Sequence, residues 1–94
     1  MLVAHQHGNE PAPGEAMLVL LERWAAPESA ALLKRVNVVA LPRANPDGAA
    51  AFKRVGSDGT DINRDHLLLR TPEARAMAAV ATRYRPQVVL DMHE

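Results

Sequence analysis

Apolar positions along this chain gather into three short runs and two longer helical stretches. Met1 to Ala4 reads as the end of an apolar strand, followed by a polar turn, HQHGNEPAPG. Glu15 to Trp24 reads as a helix whose start is punctuated by Pro11, Pro13 and Gly14 and whose first turn is favoured by Glu15. Its centre, AMLVLL, is apolar almost all round, which predicts a largely buried helix. Ala30 to Arg35 adds a short helical piece. Val36 to Leu41 (VNVVAL) is β-branched, nearly continuous in apolar character and closed by Pro42, the pattern of a strand covered on both faces. Arg43 to His66 carries the turn signals NPDG, VGSDG, DGTD and NRDH and reads as a long irregular stretch, a length usually found where a loop is functional or disordered. Thr71 to Tyr84 is the clearest helix: Thr71 suits the cap, Pro72 the first helical position and Glu73 the positive end of the dipole, with Ala74, Met77, Ala78, Ala81 and Tyr84 on one face. Pro86 ends it, and Gln87 to Met92 (QVVLDM) reads as a third strand.

The order strand, helix, strand, helix, strand predicts an α/β fold with a mostly parallel sheet and flanking helices. Ligands of open α/β sheets bind beyond the carboxyl ends of the strands. All three predicted strands end in unusual polar sequences: His5-Gln6-His7-Gly8-Asn9-Glu10, Arg43-Ala44-Asn45-Pro46-Asp47-Gly48, and Asp91-Met92-His93-Glu94. In a parallel sheet these three clusters share one edge.

Composition narrows the chemistry. The 94 residues suffice for one small domain with a thin core, low in aromatics. Eleven basic and eleven acidic residues cancel, so the charge gives no reason to expect nucleic acid or an anionic membrane as partner. No Cys is present, so a metal site would use His, Asp and Glu. The N-terminus lacks the pattern of a signal peptide, and no apolar run approaches a membrane span, which leaves the compartment unassigned.

His7 and Glu10 are spaced i, i+3 across a turn that enters a helix, and two His plus one Glu is a catalytic zinc set with a position left open for water. His93 would supply the third ligand from a distant strand. A competing pair, His5-x-His7, also has the character of a metal site, but it leaves Glu10 without a role. Alternation along a short extended segment would point Asp61 and Asn63 of GTDINRD to the same side. An Asp beside a metal-bound His commonly accepts its second ring N–H, and Asn with Arg can hold a carboxylate.

Four pieces in order, HGNE at 7–10, NPDG at 45–48, GTDINRD at 59–65 and LDMHE at 90–94, make the chain resemble the zinc carboxypeptidase family of metallopeptidases. The resemblance implies that His7, Glu10 and His93 hold Zn²⁺, that Asp61 orients His7, and that Asn63 and Arg64 grip the free carboxylate of a peptide or small amide substrate. It further implies that Arg54, next to Lys53, steadies the oxyanion. By the same resemblance residues 1–94 would be a partial catalytic domain, a truncated zinc-carboxypeptidase-like fold without the upstream strands and the later half that holds the general-base Glu; Glu94 does not match that base. The alternatives are a deacylase resembling the aspartoacylase and succinylglutamate desuccinylase group, which shares HGNE and DxNR, and an inactive zinc-binding remnant.

Overall fold

Strand β1, Leu2–Ala4, lies at the centre of the molecule. The computed structural model describes all 94 residues. Side chains of a strand alternate between faces. Leu2 and Ala4 therefore pack on one side with Met17, while Val3 packs on the other with Ile62 and Met77. Two further strands flank it in parallel, β2 (Ala40–Leu41) and β3 (Leu90–Met92), in the order β2-β1-β3. The register pairs Leu2 with Ala40 and with Leu90, and Ala4 with Met92. The carboxyl ends of all three strands consequently lie on one edge, as the order of elements predicts.

Helix α1 spans Pro11–Ala25, starting four residues earlier than the sequence suggests. Pro11 takes the first helical position and Pro13 the third, where the missing N–H groups would have had no partner in the helix. Gly14 is buried in its first turn. A Cβ there would lie 2.9 Å from the carbonyl oxygen of Pro42 and 3.2 Å from the His5 ring, so glycine lets α1 approach the end of β2. The expectation of a largely buried α1 is not met. Met17, Leu20, Leu21 and Trp24 face β1, but Leu18 and Val19 are 56% and 57% exposed. One stripe of the helix meets the sheet, and nothing packs on the apolar side opposite.

Beyond a 3₁₀ turn at Pro27–Ser29, a short helix α2 occupies Ala30–Leu33, and β2 is two residues long where six were expected. The backbone oxygen of Val39 still accepts from Leu2 N–H, but the Val36 N–H turns back to the Leu32 carbonyl at 3.2 Å, and neither Val36 nor Asn37, both exposed, joins the sheet. β3 is likewise shorter than Gln87–Met92, with Val88, Val89 and Leu90 exposed. The stretch read as irregular from Arg43 to His66 contains a helix, α3 (Pro46–Ala51), and a 3₁₀ turn, Ile62–Arg64. Asn45 caps α3 by accepting from Gly48 N–H at 2.8 Å. Helix α4 spans Pro72–Tyr84, with the Thr71 hydroxyl accepting from Ala74 N–H as expected. Its buried positions are Ala74 and Met77; Tyr84, at the far end of the same face, is exposed.

Candidate metal centre

Leaving β1, the chain turns sharply at His5, whose φ of 62° lies in the left-handed region. The His5 ring is fixed to the Gly8 carbonyl at 3.1 Å. A Cβ on Gly8 would collide with the backbone of Gly48, so the loop after β1 is pressed directly against the start of α3. Asn45 ties the same two segments together: its amide donates to the Gln6 carbonyl at 3.1 Å. These contacts hold His7 on the sheet edge as α1 begins.

His7 and Glu10 come from that loop, and His93 arrives from the end of β3. Their ligand atoms meet closely. Glu10 Oε1 lies 2.9 Å from His7 Nδ1, Glu10 Oε2 lies 2.9 Å from His93 Nδ1, and the two Nδ1 atoms are 3.2 Å apart. Counting one ligand atom from each residue, all lie within 4.8 Å of one another, and tetrahedral bonds of ~2.0–2.1 Å would set them roughly 3.3 Å apart, so small side-chain movements bring the group to a zinc shell. Side-chain exposure is 4% for His7 and 13% for Glu10, and His93 forms the open side.

The outward nitrogens carry the strongest signal. His7 Nε2 lies 3.2 Å from Asp61 Oδ1, and His93 Nε2 lies 3.0 Å from Asp91 Oδ2. A carboxylate only accepts, so each Nε2 is a donor. Each neutral imidazole then turns its Nδ1 lone pair toward the other and toward an anionic Glu10. Two lone pairs and a carboxylate converging on one point repel unless a cation or protons lie between them. The ring nitrogens and the carboxylate are the donor set zinc prefers, so the residues fit the metal.

Without metal, protons meet part of that demand. Burial alone would lower the pKa of His93, yet hydrogen bonds to Glu10 and Asp91 outweigh it and raise the value above 6.5. Burial would raise Glu10, but bonds from His93 and His7 leave it below the ordinary carboxylate value. Burial likewise works to raise Asp61, and Arg54 pulls it down.

Arg54 rather than Lys53 reaches the site. Its Nε donates to Asp61 Oδ2 at 3.0 Å, and its Nη1 stands 3.9 Å from Glu10 Oε1. Lys53 is exposed and engages through its backbone N–H on Gly48. Asp61 and Asn63 do both face the histidines, but not through strand alternation. Asp61 caps the 3₁₀ turn by accepting from Asn63 N–H at 3.0 Å, and that turn brings the Asn63 amide to 3.3 Å from His93 Nε2. Arg64 is exposed, its guanidinium resting on the Asn63 carbonyl at 3.0 Å. His5 faces away from the cluster, which sets aside the His5-x-His7 pair. The partner of His93, Asp91, was not singled out from the sequence, although its place two residues earlier on a strand puts it on the same side. Gln6 and His66 carried no local signal.

No family model matches the chain, and no solved structure matches it. No helix is long and apolar enough to cross a membrane. Curated proteins do match. The chain is 42% identical over 90 residues to the probable carboxypeptidase 2 of Arthroderma benhamiae and to the carboxypeptidase 2 of Trichophyton rubrum, and 41% identical to that of Trichophyton tonsurans. Each match covers 94% of this chain and 17% of the relative. Over nearly its whole length this chain is thus similar to a part of proteins named carboxypeptidase 2, and it spans 17% of their length.

Proposed function

We propose that these residues form the metal-holding and carboxylate-binding part of a zinc-dependent carboxypeptidase-type hydrolase, one that removes residues from the C-terminus of a peptide. The observation that carries the reading is the convergence of two Nδ1 lone pairs and Glu10, each imidazole braced from behind by a carboxylate. The similarity to proteins named carboxypeptidase 2 supports the same choice over a deacylase.

His7, Glu10 and His93 would hold the zinc and leave its open side toward solvent near His93. When bound, zinc would polarise a substrate carbonyl and make its water acidic enough to act near neutral pH. The chain's own residues then have distinct tasks. Asp61 keeps His7 in the tautomer that presents Nδ1. Arg54 spends Nε and Nη2 on Asp61 and keeps Nη1 on the Glu10 side, where a guanidinium can donate to a carbonyl oxygen as it gains charge. Asn63 has the freedom to meet a substrate. His93 Nε2 cannot donate to Asp91 and accept from Asn63 at once, and the shorter bond to a carboxylate wins. Its amide, with the exposed Arg64 guanidinium beside it, suits the free carboxylate that marks a peptide's end.

The test uses the zinc-loaded chain and two short peptides, one with a free C-terminal carboxylate and one amidated. The free peptide is expected to shift the side-chain resonances of Asn63 and Arg64, and the amide to leave them in place. Equal binding of both peptides, or shifts confined to other residues, would overturn the assignment of substrate class.

A further inference from the structure

Behind His93 the structure holds a connected row of polar groups that the metal shell does not explain. Gln6 lies directly after His5 and is 2% exposed, one of the most deeply buried polar side chains in the molecule. Its amide nitrogen donates to Asp91 Oδ1 at 2.7 Å. Its amide oxygen accepts from His66 Nε2 at 2.8 Å. The other oxygen of Asp91 accepts from His93 Nε2 at 3.0 Å. The row therefore runs His66, Gln6, Asp91, His93, and it joins three separate parts of the chain: the loop after β1, the segment after the 3₁₀ turn, and β3.

We infer that Gln6 and His66 are positioning residues for the metal centre, acting through Asp91 to set the orientation and tautomer of His93. This rests on His93 being a metal ligand. The physical reasoning is directional. A buried amide has two ends, one accepting and one donating, and its orientation follows its partners. The Asp91 carboxylate can only accept, so the NH₂ end of Gln6 faces it, and the oxygen end is held from the other side by the His66 Nε2–H. The Gln6 N–H holds Oδ1, and the carboxylate is thereby turned to offer Oδ2 to His93. With Nε2–H so engaged, the lone pair of His93 is on Nδ1 and aims at His7 and Glu10. His7 needs no such row, because Arg54 and the Asn63 backbone N–H already hold its carboxylate, Asp61. Asp91 lacks those partners. It is itself exposed at the edge of β3, and Gln6 is what restrains it.

The arrangement predicts graded effects. Partners behind a metal-bound His are typically worth 10–100-fold in metal affinity. Asp91→Asn is expected to lose that much zinc affinity, and Gln6→Leu about 10-fold, because Asp91 then rotates freely. Gln6→Leu added to Asp91→Asn should cost little more, since both act through one bond. His66 is exposed, so its replacement spares the fold: His66→Ala should weaken zinc binding and His66→Gln, which keeps an N–H donor, should restore it. A structural role alone would not change the metal's electronic surroundings, so the cobalt-substituted chain supplies the second readout. Its visible absorption spectrum should shift in Gln6→Leu and His66→Ala and return to the parent spectrum in His66→Gln.

The experiment is zinc competition against a chromophoric chelator, with cobalt spectra, on the 94-residue chain and these variants. Weaker binding with an altered spectrum in His66→Ala, rescued in His66→Gln, supports the inference even where Gln6→Leu fails to fold. A parent chain that binds zinc while His66→Ala and Gln6→Leu keep its affinity and spectrum overturns this inference alone. A parent chain that binds no zinc overturns the metal reading and this inference with it.

Discussion

Two imidazoles and a carboxylate held within 3.2 Å of one another make protons and metal rivals for the same atoms. His93, Glu10 and Asp61 show it in their pKa directions. The folded value of His93 is raised, so its contribution to the stability of the metal-free chain is complete below the unfolded value of about 6.5 and is lost as pH rises through the folded value. The folded values of Glu10 and Asp61 are lowered, so their contributions are present above their ordinary values and are lost as pH falls through the folded ones. Zinc needs both Nδ1 atoms unprotonated. Zinc affinity should therefore climb as pH rises through the raised His93 value and level off above it, which a series of competition titrations across that range would show. Asp61→Ala is expected to weaken zinc binding by about 10–100-fold, and an unchanged affinity would reduce GTDIN to a turn. These residues were legible because each belongs to a short motif. Asp91 was half legible, through its spacing from His93. Gln6 and His66 were not, because their meaning depends on partners 85 and 60 residues away.

Individual elements divide by whether their stability is local. Helix α4 could be read in advance because Thr71, Pro72 and Glu73 specify its start without help. Thr71 also donates to Asp65, whose carboxylate accepts from the Thr71 backbone as well. Thr71→Ala should cost about 1 kcal/mol or somewhat more in a denaturant titration, within the ~0.5–2 kcal/mol range of such caps. Helix α3 could not be read. PDGAAA contains a turn-like Asp-Gly, and what holds it is Asn45, itself anchored on Gln6 across the fold. β2 and β3 are shorter than their apolar runs because an apolar run permits a strand but pairing makes one. The contact of Gly8 with Gly48 ties this level to the site. Gly8→Ala must push the loop after β1 off α3, so it should both destabilise the chain by roughly 1–3 kcal/mol and weaken zinc binding. A loss of stability with zinc affinity intact would show that the loop does not set the ligand geometry.

Taken as one body, the molecule places its chemistry on a sheet edge and leaves much apolar surface uncovered. Only 17 of 94 residues are buried, consistent with a thin core in a short chain. The exposed outer side of α1, at Leu18 and Val19, together with Val88, Val89 and Leu90, favours self-association. Leu18→Glu with Val19→Lys should shift the chain toward monomer in sedimentation and leave zinc affinity unchanged, since α1 meets the site only at its first turn. The carboxylates around the ligand atoms are all occupied: Asp61 by His7 and Arg54, Asp91 by His93 and Gln6, Glu10 in the ligand group, and Glu94 by the backbone N–H of Ala12. We expect none of the four to serve as a general base, a contribution worth about 10²–10⁴-fold. The 94-residue chain is expected to bind zinc without turning over peptides; chelator-sensitive release of a C-terminal residue would place a working base among these four.

The most direct measurement of the metal centre follows the imidazole nitrogens by ¹⁵N NMR as zinc is added. The chain has four histidines, each with two ring nitrogens, so every possible ligand atom is in view. One equivalent of zinc should move the Nδ1 resonances of His7 and His93 to metal-bound positions, keep both Nε2 atoms protonated, and leave His5 and His66 unbound. Metal-bound shifts at His5 together with His7, or no change at His93, would contradict the assignment.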